Sequence, residues 1–103
     1  MTSYHNTFAA SELENNSNKA ISINGKNILI CNSGGDFYAI DNLCTHQRAE
    51  LEGGRIRNCF ISCPLHGVRF NLETGKPMGQ MTNVPLATYP IKVSETGIIQ
   101  VEV

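Results

Sequence analysis

The segment Cys44–Gly67 reads CTHQRAELEGGRIRNCFISCPLHG and contains two short motifs of the same kind. A Cys-x-His motif begins the segment, a Cys-x-x-His motif ends it, and 16 residues lie between them. Each motif places one sulfur donor and one imidazole donor within a few residues, and the neighbouring glycines favour tight loops. The sequence therefore offers four candidate ligands for a single metal centre: Cys44, His46, Cys63 and His66.

This donor set suits two kinds of metal centre. Two cysteines and two histidines are the ligands of an iron–sulfur cluster in which imidazoles replace thiolates on one iron. The same set can also hold a structural zinc ion. Zinc modules usually pair Cys with Cys and His with His, whereas each motif here mixes the two. The pattern favours the cluster and leaves a structural Cys₂His₂ zinc module as an alternative.

The sequence on either side of these motifs predicts an all-β fold. Short apolar or alternating runs are separated by glycine turns, which is typical of an antiparallel sandwich or barrel. Asn24-Gly25 suits a two-residue type I′ hairpin. Residues 42–57 lack alternation and are expected to form a loop inserted into the sheet. The Ser11–Glu14 segment resembles a helix cap, but the asparagines after it favour a polar turn.

Composition limits the function further. The chain has 103 residues, of which 41% are apolar, and this length accommodates one domain. Eight basic and nine acidic residues leave no basic face for nucleic acid. The longest apolar run, Ile28–Cys31, is far shorter than the roughly 20 residues of a membrane span. No signal-peptide pattern opens the sequence, so we expect a cytoplasmic protein whose four cysteines are thiols or ligands rather than disulfides.

The two motifs and their spacing resemble those of the Rieske-type [2Fe–2S] proteins. The resemblance continues through FYAIDNLCTH, VRFNLETGKP and PLATYPIKV, and so covers nearly the whole chain. It implies a single Rieske domain over residues 1–103, with a cluster-binding subdomain at about 42–83 and a basal β subdomain formed by the remainder. It also implies that Cys44 and Cys63 hold the inner iron of one [2Fe–2S] cluster, and His46 and His66 the outer iron.

Departures from the high-potential members of that family indicate a low redox potential. Those members carry an extra cysteine pair, joined as a disulfide, where this chain has Ala49 and Leu65. They also place a serine and a tyrosine, which donate hydrogen bonds to the cluster, where this chain has Val68 and Phe70. Both absences destabilise the reduced cluster. We therefore expect a potential on the order of −150 mV, the low end of the Rieske range.

The small number of histidines limits the functions that the chain can have. Two of the three are assigned to the cluster, and His5 alone cannot build the mononuclear iron site of a Rieske oxygenase. The chain resembles the ferredoxin component of bacterial aromatic-ring-hydroxylating dioxygenases. That resemblance implies a monomeric one-electron carrier without an active site of its own, which docks transiently with a flavin reductase and a terminal oxygenase. The small Rieske-like subunit of a nitrite reductase is an alternative, although that subunit commonly lacks some of the ligands.

Two further expectations concern surface and core. The docking surface is expected around residues 46–48 and 65–66. Residues 78–85 form a neighbouring third loop that either belongs to this surface or only packs beside the cluster. Low net charge suggests that docking depends on shape and apolar contact more than on long-range attraction. Cys31 and Cys59 are expected to be core thiols, with Cys59 on a strand.

Overall fold

The computed structural model describes residues 3–45, 49–65 and 67–103. Within these ranges the chain is built from short β-strands and a single 3₁₀ turn, Ala10–Glu12. The strands, in chain order, are β1 (Tyr4–Ala9), β2 (Asn18–Ile23), β3 (Lys26–Ser33), β4 (Asp36–Asp41), β5 (Ile56–Arg57), β6 (Phe60–Ser62), β7 (Arg69–Asn71), β8 (Pro77–Met78), β9 (Thr88–Tyr89), β10 (Ile91–Val93) and β11 (Ile98–Glu102).

The strands form three antiparallel sheets. One sheet has the order β1-β11-β10, the second β2-β3-β4-β9, and the third β5-β6-β7-β8. Neighbours in the chain mostly pair as hairpins, whereas β11 returns to pair with β1 and so brings the two ends of the chain together. The all-β, antiparallel fold class predicted from the sequence is confirmed. In the described part of the chain, no helix is long and apolar enough to cross a membrane.

The hairpin predicted at Asn24-Gly25 is confirmed. It joins β2 to β3, where Ile23 pairs with Lys26, and its two residues have φ of 52° and 77°. A two-residue type I′ turn requires positive φ at both positions, which Asn and Gly adopt more readily than other residues. This turn sets the register of the six residue pairs that follow between β2 and β3.

Two local expectations need correction. The Ser11–Glu14 segment was expected to be a polar turn, but a single 3₁₀ turn spans Ala10–Glu12, and the Glu12 carboxylate accepts a hydrogen bond from the Ala9 N–H at 3.2 Å. The loop expected over residues 42–57 ends earlier, since β5 begins at Ile56. Ile56 is buried and pairs with Ile61, so its apolar side chain favours the sheet over the loop.

The expectation that Cys59 lies on a strand is wrong. Asn58 and Cys59 form the turn between β5 and β6, with φ of 51° and 67°. Because Arg57 pairs with Phe60, only two residues remain to reverse the chain, and both must adopt the left-handed conformation. Cys59 is half-buried and packs at the edge of the core, whereas Cys31 is fully buried as expected.

Strand β3 lies between two apolar clusters because its residues alternate in direction. Ile28 and Ile30 contribute to the cluster that also contains Ile99 and Val101 of β11. Their neighbours Leu29 and Cys31 contribute to a second cluster, which we call the upper core; it comprises Leu29, Cys31, Ile40, Cys44, Leu51, Ile56, Ile61, Cys63, Val68, Phe70, Leu72 and Leu86. The apolar run at 28–31 is therefore a strand buried on both faces.

Candidate metal centre

The first motif begins where β4 ends. Cys44 is fully buried, and its backbone N–H donates a hydrogen bond to the carbonyl of Ala49 at 2.6 Å. The hydroxyl of Thr45 donates to the carbonyl of Val84 at 2.7 Å and lies 3.2 Å from the hydroxyl of Thr82. The first loop is thus attached to the third loop, residues 78–85.

The buried side-chain amide of Asn42 holds the first loop through hydrogen bonds. The side-chain oxygen of Asn42 accepts hydrogen bonds from the backbone N–H groups of Leu51, at 2.9 Å, and Glu52, at 2.8 Å. Its side-chain nitrogen donates to Glu50 at 3.1 Å and to Asn27 at 3.2 Å. Asn42 is 1% exposed. Its amide links the start of the first loop to residues 50–52, where the loop ends.

The second motif lies in the connection between β6 and β7. The Cys63 N–H donates to the Val68 carbonyl at 2.8 Å, and the Gly67 N–H donates to the Cys63 carbonyl at 2.9 Å. Gly67 has a φ of 71°, a conformation that side chains disfavour and glycine accepts. Cys63 is 2% exposed, whereas Leu65 at the tip of the same loop is 71% exposed. The loop therefore buries its sulfur and presents an apolar side chain to solvent.

The third loop is attached to the sheet through a close backbone approach. The Leu86 N–H donates to the carbonyl of Gly75 at 2.8 Å, and a Cβ at Gly75 would overlap the carbonyl oxygen of Leu86. Gly75 also has a φ of 78°. Met78, Met81 and Val84 on this segment are each about half exposed. The expected third loop thus lies beside the first motif and carries apolar surface.

The structure places two of the four predicted ligands in the same apolar core cluster. Cys44 and Cys63 both belong to the upper core, although they come from different loops. His46 and His66 lie outside the described residues, as do the predicted docking residues Gln47 and Arg48. Residues 3–45, 49–65 and 67–103 contain no group of three or more His, Cys, Asp or Glu side chains that could hold a metal. A four-ligand centre therefore requires the two histidines.

The surroundings of the two cysteines fit an iron–sulfur centre. A thiolate is costly in an apolar cluster, and binding to a metal offsets that cost by placing positive charge beside the sulfur. Cys31 provides the contrast within the same upper core. Burial raises the pKa of the Cys31 thiol to about 12, so it stays protonated and packs as a small apolar side chain.

Cys59 is engaged away from the two motifs. Its backbone N–H donates to the Ser33 hydroxyl at 3.0 Å. A side-chain hydrogen bond with Cys59, together with burial, raises the pKa of the Tyr38 hydroxyl to about 12. These contacts assign the Cys59 side chain to the β3–β4 side of the molecule, consistent with a packing role.

The positions from which a low potential is expected are also buried or lie against apolar surroundings, except for Leu65. Val68 and Phe70 are 2% and 0% exposed and lie in the upper core. Neither side chain carries a hydroxyl, so neither can donate a hydrogen bond to sulfur. Ala49 is half-buried against the same core and Leu65 is exposed, and neither can form a disulfide.

Sequence reasoning missed the polar residues that hold the loops. Asn42 and Thr45 were not singled out, although both lie within two residues of Cys44 in the sequence. Asn18 was missed as well: its side-chain nitrogen donates to the Gly54 carbonyl at 2.9 Å, and its oxygen accepts from the Gly53 N–H at 2.8 Å. The available signal was weak, because an asparagine next to a loop is usually exposed, and burial shows its role only once the fold is known.

An all-β chain that buries two loop cysteines, each followed by a histidine in its motif, fits an iron–sulfur protein of mixed cysteine and histidine ligation. The family model for the Rieske [2Fe–2S] domain matches residues 3–90. The chain belongs to the Rieske [2Fe–2S] family, and its cofactor is a Rieske-type [2Fe–2S] cluster.

Within the Rieske family, the chain is similar in sequence and structure to ferredoxins of dioxygenase systems. The chain is 37% identical over 79 residues to the ferredoxin component of the naphthalene 1,2-dioxygenase/salicylate 5-hydroxylase systems of a Ralstonia species, covering 77% of this chain and 76% of that protein. The ferredoxin of carbazole 1,9a-dioxygenase from Nocardioides aromaticivorans superposes with a TM-score of 0.89 at 29% identity, over 96% of both chains. A ferredoxin bound to the carbazole 1,9a-dioxygenase oxygenase superposes with a TM-score of 0.87 at 31% identity, over 94% of this chain and 99% of that one.

Structural similarity alone does not separate the carrier from the nitrite reductase alternative. A putative nitrite reductase small subunit from Mycobacterium tuberculosis superposes with a TM-score of 0.91, over 100% of this chain and 96% of that one. Its identity is 18%, so the match shows a shared fold. The distinction between the two functions depends on the ligand motifs and on the ferredoxin relatives.

Proposed function

We propose that this protein is a one-electron carrier that takes electrons from a flavin reductase and delivers them to the terminal oxygenase of an aromatic-ring-hydroxylating dioxygenase. The observation that carries the proposal is the presence of both motifs, complete, in a Rieske domain related to ferredoxin components of such systems. The complex of a similar ferredoxin with its oxygenase supports the same role for this chain.

The proposal assigns four ligands. Cys44 and Cys63 hold one iron of the cluster, and His46 and His66 hold the other. When bound, this group supplies a site that gains and loses one electron at a time. The protein surrounds the two sulfurs with the apolar upper core, which excludes water from that side. In the same proposal, residues 42–83 are the cluster-binding subdomain and the remaining residues the basal subdomain.

The surface near the loops supports reversible docking. Leu65, Met81 and Val84 expose 71%, 50% and 52% of their surface on the loops next to the two cysteines. Small apolar contacts of this kind suit a carrier that must leave one partner before it meets the next. The proposal includes a monomeric carrier in the cytoplasm with no active site of its own.

Spectroscopy tests the cofactor and its ligands. Purified holoprotein should contain two irons per chain, absorb in the visible range, and give an iron–sulfur EPR signal after reduction. Its midpoint potential should lie on the order of −150 mV. A colourless protein with one zinc ion per chain would instead establish the structural zinc module, and a strongly positive potential would refute the argument from Val68 and Phe70.

Electron transfer tests the role. The holoprotein is mixed with a flavin reductase, NADH and the oxygenase of carbazole 1,9a-dioxygenase or of a naphthalene dioxygenase, and reduction of the oxygenase is followed by stopped flow. We expect transfer that depends on this protein. A holoprotein that instead supports electron delivery only to a nitrite reductase large subunit would favour the nitrite reductase alternative.

A further inference from the structure

Positive charge is concentrated in one segment of a chain whose net charge is −1. Residues 53–72 contain three arginines and no acidic residue, so this segment carries +3. The rest of the chain has five basic and nine acidic residues and therefore carries −4. A near-zero total thus conceals a strongly uneven distribution.

The three arginines lie on one face of the third sheet. Successive strand residues point to opposite faces, and Ile56 and Phe70 point into the upper core. Their neighbours Arg55, Arg57 and Arg69 are exposed and therefore share the outer face. A hydrogen bond from the Ser62 N–H to the Arg55 carbonyl, at 2.9 Å, holds Arg55 beside β6.

This outer face, which we call the arginine face, surrounds a shallow depression of about 420 Å³. It is lined by Arg55, Arg57, Asn58, Phe60, Ser62 and Arg69. The described residues that line it include no carboxylate. Half-buried Phe60 adds an apolar side chain to this lining. Like charges gathered without a neutralising partner repel one another, so the arrangement gains stability when an anionic surface covers it.

The arginine face is continuous with the loop that holds Cys63. Ser62 pairs with Arg69 across β6 and β7, and the next pair along the hairpin is Cys63 with Val68. Arg69, the first residue of β7, therefore lies next to the loop that holds Cys63. The arginines also extend across three strands, which at about 4.8 Å per strand is wider than one small anion covers.

We propose that the arginine face binds an acidic surface of the redox partner and orients that partner over the cluster loops. Guanidinium groups pair with carboxylates through two parallel hydrogen bonds, which favours a partner rich in Asp and Glu. The inference rests on the proposed function and adds to it the chemistry of the partner's contact surface. It differs from the expectation, drawn from net charge, that docking depends on shape and apolar contact more than on long-range attraction.

The first test uses a defined acidic probe. Octaglutamate peptide is titrated into ¹⁵N-labelled holoprotein in 20 mM and 300 mM NaCl, and backbone amide shifts are recorded. We expect shifts concentrated at residues 55–62 and 69–71 that are lost at the higher salt concentration. The double variant Arg57→Glu/Arg69→Glu should bind the peptide at least tenfold more weakly.

A matched control separates local from total charge. Lys19→Glu/Lys92→Glu changes the net charge by the same amount on exposed strand positions of the other two sheets. It should bind octaglutamate within about twofold of wild type, and all variants should keep the cluster absorbance. Equal losses in both double variants would show an effect of net charge alone and overturn the proposal. Inorganic phosphate that binds the arginine face more tightly than the peptide would also overturn it, in favour of a small-anion site.

The second test measures electron transfer itself. In the stopped-flow assay, Arg57→Glu/Arg69→Glu should lower the second-order rate with at least one partner about tenfold at 20 mM salt, with the difference closing at high salt. Wild-type rates in the arginine variant at every salt concentration would refute the inference while leaving the carrier function intact. Peptide binding at the arginine face without transfer to any partner would refute the function instead.

Discussion

Replacing Asn42 by alanine should unfold the first loop, because this buried amide makes four hydrogen bonds that an alanine side chain cannot make. The change leaves the N–H groups of Leu51 and Glu52 without their acceptor. The Leu51 donor is buried, and an unsatisfied buried donor costs about 1–3 kcal/mol of the free energy of unfolding. For a chain of this size each kcal/mol lowers Tm by about 4–8 °C, so the transition should fall by about 4 °C or more.

The assay is thermal unfolding of holoprotein followed by far-UV circular dichroism and by visible absorbance. Asn42→Asp keeps an acceptor for both N–H groups but places a carboxylate beside Glu50, and should fall between wild type and Asn42→Ala. Asn83→Ala is the control, since Asn83 is exposed, and should leave Tm within about 1 °C. If Asn42→Ala unfolds within 2 °C of wild type and keeps its cluster, the amide does not support the loop.

Four further predictions concern single residues. Gly75→Ala should destabilise the protein by at least 2 kcal/mol more than Gly25→Ala does, because both glycines have nearly equal positive φ but only Gly75 faces a backbone carbonyl; urea unfolding compares them. Burial and a hydrogen-bonded carboxylate raise the pKa of Tyr89 from 10.0 to about 12, so its contribution to stability is complete below pH 10 and disappears as pH rises through 12. The Tm of Tyr89→Phe should therefore fall less steeply than that of wild type between pH 10 and about pH 12. Cys59→Ser should keep the cluster spectrum, and a colourless variant would reassign the ligands. His46→Cys should lower the midpoint potential or prevent assembly of the cluster, whereas an unchanged potential in a fully loaded variant would contradict the ligand assignment.

The fold class followed from local chemistry that the sequence displays. Asn24-Gly25 identifies its hairpin because few other residue pairs accept positive φ at both positions. The same logic could have found the Asn58–Cys59 turn, but cysteine at the second position hides it, since a left-handed cysteine is uncommon. The strand was therefore extended two residues too far. The chain reversal at Asn58 and Cys59 follows from the pairing of Arg57 with Phe60, which is seen only in the folded structure.

The two Cys/His motifs could be recognised in the sequence for a different reason. Metal centres use few residue types as ligands, and the spacing of these residues reflects that chemistry. The supporting residues were not visible, because asparagine and threonine occur in most loops. Asn42 and Asn18 become significant only when burial and hydrogen-bond partners are known. The arginine face was missed because it depends on strand pairing: Arg57 and Arg69 are distant in the sequence and share a face only through β6.

The uneven charge also bears on how a carrier can be both fast and transient. Attraction between charged surfaces raises the rate of encounter, while the lifetime of the complex depends on the desolvated contacts at its centre. Here Leu65 exposes an apolar side chain on the loop between β6 and β7, and Arg69 begins β7. A partner can therefore be drawn in and oriented by the arginine face yet be held by few apolar contacts. Adding apolar surface to the third loop by Gln80→Leu, at an exposed position, should lengthen the life of the complex and slow turnover, even though the electron-transfer step itself is unchanged. Stopped-flow traces that show faster turnover in this variant would argue against the division of roles.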